Sequence, residues 1–171
     1  LLGESPSPEL VEHIERTVMS YPGVLGVHDL MVHDYGPGHQ FASLHVELPA
    51  EQDPLEAHDL IDNIERDFFK NDNLMVTIHY DPIVTSDAAV GVLRARLTEK
   101  LRQMDPELSL HDLRIVPGRT HTNVLFDLVL PAGYAGDKVE LLEQLEQFIK
   151  EQDTAYSCII KVEQSYTAAH K

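Results

Sequence analysis

The chain has 171 residues, room for one medium domain or two small ones. A hydrophobic content of 43% supports a packed core and argues against wholesale disorder. Thirteen basic residues against 29 acidic ones leave a formal net charge of -16, a surface that repels phosphate backbones and anionic headgroups, so no nucleic acid is expected as a partner.

Leu1-Leu2-Gly3-Glu4 opens the chain without a methionine and reads as a cut through a longer polypeptide. Ser7-Pro8 starts a helix whose stripe Leu10, Val11, Ile14, Val18 continues until Tyr21-Pro22-Gly23 stops it. Val24 to Tyr35 suits a strand, Gly36-Pro37-Gly38 turns the chain, and Phe41 to Leu48 alternates as a second strand. Asp53-Pro54-Leu55-Glu56 is a capping box that opens a helix to about Lys70. Leu74, Val76 and Ile78 alternate with polar residues up to Asp81-Pro82 as a third strand, and the order is α-β-β-α-β.

The order then recurs. Val90 to Met104 predicts a helix, a strand passes through His111-Asp112-Leu113, and Pro117-Gly118 turns into a strand from Asn123 to Leu130. Asp137-Lys138-Val139-Glu140 is a second capping box, its helix runs to about Lys150, and Tyr156 to Glu163 is the last strand. His28-Asp29-Leu30 is echoed by His111-Asp112-Leu113, and Leu48-Pro49 by Leu130-Pro131. The class is α+β, two copies of one small unit, 1–84 and 85–171, joined near Val84 to Ala89.

Ten histidines are a high count for this length, but their positions carry more than their number. On the second strand Leu44, Val46 and Leu48 share one face, and His45 lies opposite with Ser43 and Glu47. On the third, Leu74, Val76 and Ile78 share one face, and His79 and Asp81 lie opposite. If helices cover the apolar face, His45, His79 and Asp81 meet on the uncovered side, where imidazole and carboxylate suit Zn²⁺. Taken alone, the pair His79 and Asp81 also fits a plain solvated face. Counted from the capping box, His58 falls on the stripe Leu55, His58, Ile61, Ile64 and faces inward, across the sheet from His79. A shared site then needs a sheet edge, a twist or a second protomer. In the second copy Asp127 stands for His45, Leu142 for His58, and Lys161, Val162 or Glu163 for His79, so that copy keeps the fold and loses the site.

The remaining histidines are expected to be solvated: His33 and His39 by the hairpin turn, His13 beside glutamates, and His121 near the second turn, while His170 lies near a terminus. Glu65 and Asp62 are placed on the solvated face of their helix. The single cysteine, Cys158, excludes a disulfide framework or thiolate cluster within one chain and points to a reducing compartment. No run approaches the ~18 apolar residues of a membrane span, and no signal peptide is seen.

The run Pro22-Gly23-Val24, Gly26-Val27-His28-Asp29-Leu30, then Leu44-His45-Val46-Glu47, Ala57-His58-Asp59-Leu60-Ile61-Asp62 and Ile78-His79-Tyr80-Asp81-Pro82 resembles the cytoplasmic C-terminal domain of the cation diffusion facilitator family. The resemblance covers roughly Leu1 to Val84, with Leu1-Leu2-Gly3-Glu4 similar to the segment after the last membrane helix. It implies a ferredoxin-like, metallochaperone-like fold, extended to the second unit only through its internal match to the first, and a homodimer below the membrane attached to the transmembrane domain of the same full-length protein. It also implies a two-zinc site at His28, His45, His58, His79 and Asp81, with Asp81 as the bridge and other divalent cations as alternatives. The expected role is regulatory, metal binding biasing the conformation of an efflux transporter on the cytoplasmic side of the cell membrane, with no enzymatic activity. The alternatives are a structural dimerisation module that never sees metal and, third, a zinc-dependent hydrolase, for which neither HExxH nor a nucleophile elbow is present. The tandem second copy departs from the commoner single-domain pattern.

Overall fold

A computed structural model of the chain describes residues 5–84 and 87–165, with only the backbone of Asp87, so the opening tetrapeptide and His170 lie outside the described residues. The chain divides into two compact units with the boundary between Ile83 and Val84.

The first unit runs α1 (Pro8–Met19), β1 (Gly26–Asp34), β2 (Gln40–Pro49), α2 (Pro54–Asp72) and β3 (Met75–Ile83). Both helices begin where local chemistry directs them. The Ser7 hydroxyl accepts the Leu10 N–H, and the Asp53 carboxylate accepts those of Leu55 and Glu56, each cap followed by proline, whose missing N–H costs nothing there. Such a cap contributes about 1 kcal/mol. Asn73, left-handed at φ 50°, ends α2.

The strands form a sheet of order β1-β2-β3, β1 antiparallel and β3 parallel to β2. Ala42, Leu44, Val46 and Leu48 of β2 are buried against Ile14 and Val18 of α1 and Ala57, Ile61, Ile64 and Phe68 of α2. Each buried leucine or valine contributes about 1.5–3 kcal/mol. Strand parity sends Phe41, Ser43, His45 and Glu47 to the other face. No helix of the unit covers that face among the described residues, and Met31, Phe41 and Met75 stand exposed on it.

The inward stripe of α2 corrects the placement of His58. Residues three apart on an α-helix drift about 60° backwards at each step. A stripe counted as Leu55, His58, Ile61, Ile64 therefore spirals off the core. The face that packs is Ala57, Ile61, Ile64, Phe68, while His58 is exposed and Leu55 is 80% exposed. Glu65 also departs from expectation. Its Oε1 accepts the Ile78 N–H at 2.8 Å, occupying a backbone donor on the edge strand β3.

The second unit repeats the plan as α3 (Asp87–Met104), β4 (Ser109–Val116), β5 (Thr122–Leu130), α4 (Lys138–Gln152) and β6 (Tyr156–Gln164), with sheet order β4-β5-β6 and the same strand directions. Its separate core is built from Leu93, Leu97 and Leu101, from Val124, Phe126, Leu128 and Leu130, and from Leu141, Leu145 and Ile149. Asp137 caps α4 as Asp53 caps α2. The chain is thus two tandem ferredoxin-like α+β units. No described helix is long and apolar enough to cross a membrane.

Candidate metal centre

Ladder register assembles the site. His28 of β1 pairs with His45 of β2, and His45 pairs with His79 of β3, so one histidine from each strand lies in a row across the sheet. Neighbouring rings are 4.8 and 4.7 Å apart between centroids. Two residues further along β2 and β3, on the same face, come Glu47 and Asp81, themselves ladder partners. Both carboxylates are buried, at 2% and 5% exposure, the two buried charged side chains among the described residues.

A bulge in β1 aims His28 into this row. Between His28 and Met31 the register shifts, and Asp29 takes a left-handed conformation at φ 52°. Aspartate tolerates that region better than most residues. Asp112 repeats it at φ 53° in the equivalent bulge of β4, so the echoed His-Asp-Leu triplet encodes a backbone irregularity shared by both units.

Asp81 is the hub. Its Oδ2 lies 3.1 Å from His28 Nε2 and 3.0 Å from His45 Nδ1, and its Oδ1 lies 3.3 Å from His79 Nε2. On the other side of the His28 ring, Glu47 Oε1 lies 3.1 Å from Nδ1. Burial opposes the charge on His28, but Asp81 and Glu47 outweigh it and push the imidazole up to about 9. Burial likewise raises Asp81, but its contacts with His28 and His45 prevail and hold the carboxyl below its ordinary range.

A carboxylate oxygen lies 3.1 Å from each buried His28 nitrogen, yet neither nitrogen has a hydrogen bond of good geometry. Buried imidazole nitrogens with unspent donor capacity, beside carboxylate oxygens, form a nitrogen and oxygen set that fits Zn²⁺, Co²⁺ or Ni²⁺. Two groupings have their donor atoms within 4.8 Å of one another: His45, His79 and Asp81, and His28, Asp29 and His45. A groove of about 450 Å³ adjoins them, lined in part by Asp29, Met31, Ser43, His45, Thr77 and His79.

Of the five expected ligands, the fold gathers His28, His45, His79 and Asp81 and leaves His58 apart, exposed on α2, whose core stripe packs on the opposite face of the sheet. Asp29 and Glu47 were not among the expected ligands. Glu47 was nonetheless signalled, since His45-x-Glu47 has the same two-residue spacing as His79-x-Asp81. Elsewhere, His13 pairs with Asp72 at 3.2 Å, His121 contacts the Thr120 hydroxyl, and His33 and His39 are exposed. Burial, with Glu146 nearby, pushes the Cys158 thiol up to about 11, so it is protonated and a poor ligand at neutral pH.

In the second unit the matching row reads His111, Asp127, Lys161, with Glu163 in the place of Asp81 and Val129 in that of Glu47. The Lys161 ammonium lies 2.9 Å from Glu163, and the Arg114 guanidinium 3.9 Å from Asp127. Fixed side-chain cations stand where the first unit gathers imidazoles.

The family described as cation efflux protein, cytoplasmic domain, matches residues 6–83. The chain is 38% identical over 72 residues to the cation-efflux pump FieF of Yersinia enterocolitica, covering 42% of this chain and 24% of that protein. It is 33% identical over 76 residues to the uncharacterized transporter MJ0449 of Methanocaldococcus jannaschii, covering 39% of this chain and 26% of that protein. The chain thus spans about a quarter of the length of these relatives. With its fold, its row of histidines and this match, the first unit belongs to the family of cytoplasmic domains of cation efflux proteins.

Proposed function

We propose that the first unit is the metal-sensing, self-associating domain of a divalent-cation efflux transporter, lying on the cytoplasmic side of the cell membrane and binding Zn²⁺. The observation that carries this reading is one buried carboxylate facing three imidazoles, Asp81 Oδ2 toward His28 and His45 and Oδ1 toward His79. Two oxygens directed at different histidines suit a carboxylate that bridges two ions. His28, His45, His79 and Asp81 would hold the ions between them, supplying nitrogen and oxygen donors. His58, exposed on α2 and apart from the cluster, would add its imidazole from another copy of the chain. Metal shared between copies then favours one arrangement of the pair, and differential affinity for two arrangements biases the attached membrane helices. The domain binds and transmits, and catalyses nothing. Residues 85–171 are, in this reading, a degenerate copy that keeps the scaffold alone.

The test is zinc titration of the wild type and of His79→Ala, with sedimentation to follow self-association. Loss of a ligand is expected to weaken zinc at least about 10-fold, the lower end of what even an outer-sphere partner is worth, and to abolish zinc-dependent association. Unchanged stoichiometry and affinity in His79→Ala would refute the assignment. A second reading, a dimerisation module without physiological metal, draws on the pairing of His28 with Asp81 and Glu47, which satisfies the buried charges without an ion. Under it, zinc and chelator give the same melting temperature, whereas a ligand bound by the folded state must raise it.

A further inference from the structure

We infer that Glu47 is a positioning residue of the metal centre: its buried carboxylate holds the Nδ1 side of His28, so that Nε2 is presented to the ion, and residue 26 is glycine to make room for it. This rests on the metal-binding reading above and adds a residue to that site. His28 is bracketed, with Glu47 Oε1 3.1 Å from Nδ1 on one side and Asp81 Oδ2 3.1 Å from Nε2 on the other. An imidazole binds metal through one nitrogen and is oriented through the other, and a carboxylate on the far N–H fixes the tautomer and strengthens the donor. Asp81, which faces three histidines, is the oxygen ligand of the pair. Glu47 lies against the far edge of the His28 ring. With Nε2 given to an ion, Nδ1–H would be the donor left for Glu47 Oε1, 3.1 Å away.

The backbone around Glu47 supports this independently. Gly26 is its partner across the β1–β2 ladder, and a Cβ built on Gly26 runs into the Glu47 carboxylate. Gly26 opens β1, and a residue without a Cβ is what this close approach requires. The second unit provides the contrast. At the same two ladder positions it carries Ser109 and Val129, and Lys161 replaces His79. Both the bulge and the capped helix persist there, so neither requires the glycine–glutamate pair. The pair disappears together with the ligand set, as expected for parts of a site.

The experiment compares the full chain with Glu47→Gln, Glu47→Asp and Glu47→Val. Zinc affinity is measured by competition with a chromophoric chelator, and ligand geometry by the visible absorption of the Co²⁺-loaded protein. Glu47→Gln preserves shape, and circular dichroism checks that each variant folds. Expected are unchanged stoichiometry, zinc affinity about 10–100-fold weaker in Glu47→Gln with shifted Co²⁺ bands, and partial recovery in Glu47→Asp, which restores the carboxylate. Affinity in Glu47→Gln within about twofold of wild type overturns the inference, as does Glu47→Asp falling as far as Glu47→Val, which makes the role one of packing. If His79→Ala loses zinc while Glu47→Gln does not, the positioning role alone fails; a wild type that binds no zinc removes both readings.

Discussion

His28 sets the pH behaviour of the first unit. Its ordinary value of 6.5 is pushed up to about 9 because the gain from Asp81 and Glu47 exceeds the loss from burial. A folded-state value above the unfolded one means stabilisation that is fully present below about 6.5 and lost as pH rises through about 9. Metal requires the neutral ring, so protons compete with zinc up to about pH 9, where an unperturbed histidine would release them near 6.5. From pH 6.5 to 9 the metal-free protein should therefore melt at progressively lower temperature while zinc affinity rises. Thermal melts and competition titrations at the same pH values check both slopes, and zinc affinity flat across that range would remove His28 from the ligand set. The Asp81 shift describes the same contacts from the other partner and is not a second contribution.

At the scale of the element, the bulge in β1 decides where His28 points. Asp29 and Asp112 hold the same left-handed conformation, at φ 52° and 53°, in units that differ at nearly every ligand position. The conformation thus serves the strand as well as the site. Glycine adopts it freely and a β-branched residue does not. Asp112→Gly is expected to leave urea stability within about 1 kcal/mol, and Asp112→Val to cost about 1–3 kcal/mol. The same pair at Asp29 should behave alike in stability, while Asp29→Val should also weaken zinc binding by redirecting His28. Equal stability of the valine and glycine variants would show that the bulge relaxes without cost. Elsewhere the elements follow their local signals closely, because caps, prolines and apolar alternation agree with the packing that each strand and helix meets.

At the scale of the whole molecule, two hydrophobic cores share no residue. Each closes two helices over one face of a three-stranded sheet, and each is complete in apolar residues. Residues 1–84 expressed alone are therefore expected to fold cooperatively and to bind zinc with the stoichiometry of the full chain, and residues 85–171 to fold and bind none. Circular dichroism melts and metal analysis of the two fragments decide this. Zinc retained by the second fragment would contradict the replacement of imidazoles by Lys161 and its neighbours.

Read residue by residue, the sequence determined the order of elements, the repeat, and the parity that puts His45, Glu47, His79 and Asp81 on one face, because periods of two and 3.6 and the capping residues are local properties of the chain. It left His58 misplaced, since a three-residue stripe and a four-residue one share Ile61 and Ile64, and only the core distinguishes them. It could not show that His28 joins the row, which depends on a bulge and on pairing with a strand 17 residues away. Nor could it explain Gly26, because the collision that excludes a Cβ exists only once two strands lie side by side. Register, a long-range pairing, converts scattered histidines into neighbours, and only the tertiary structure supplies it.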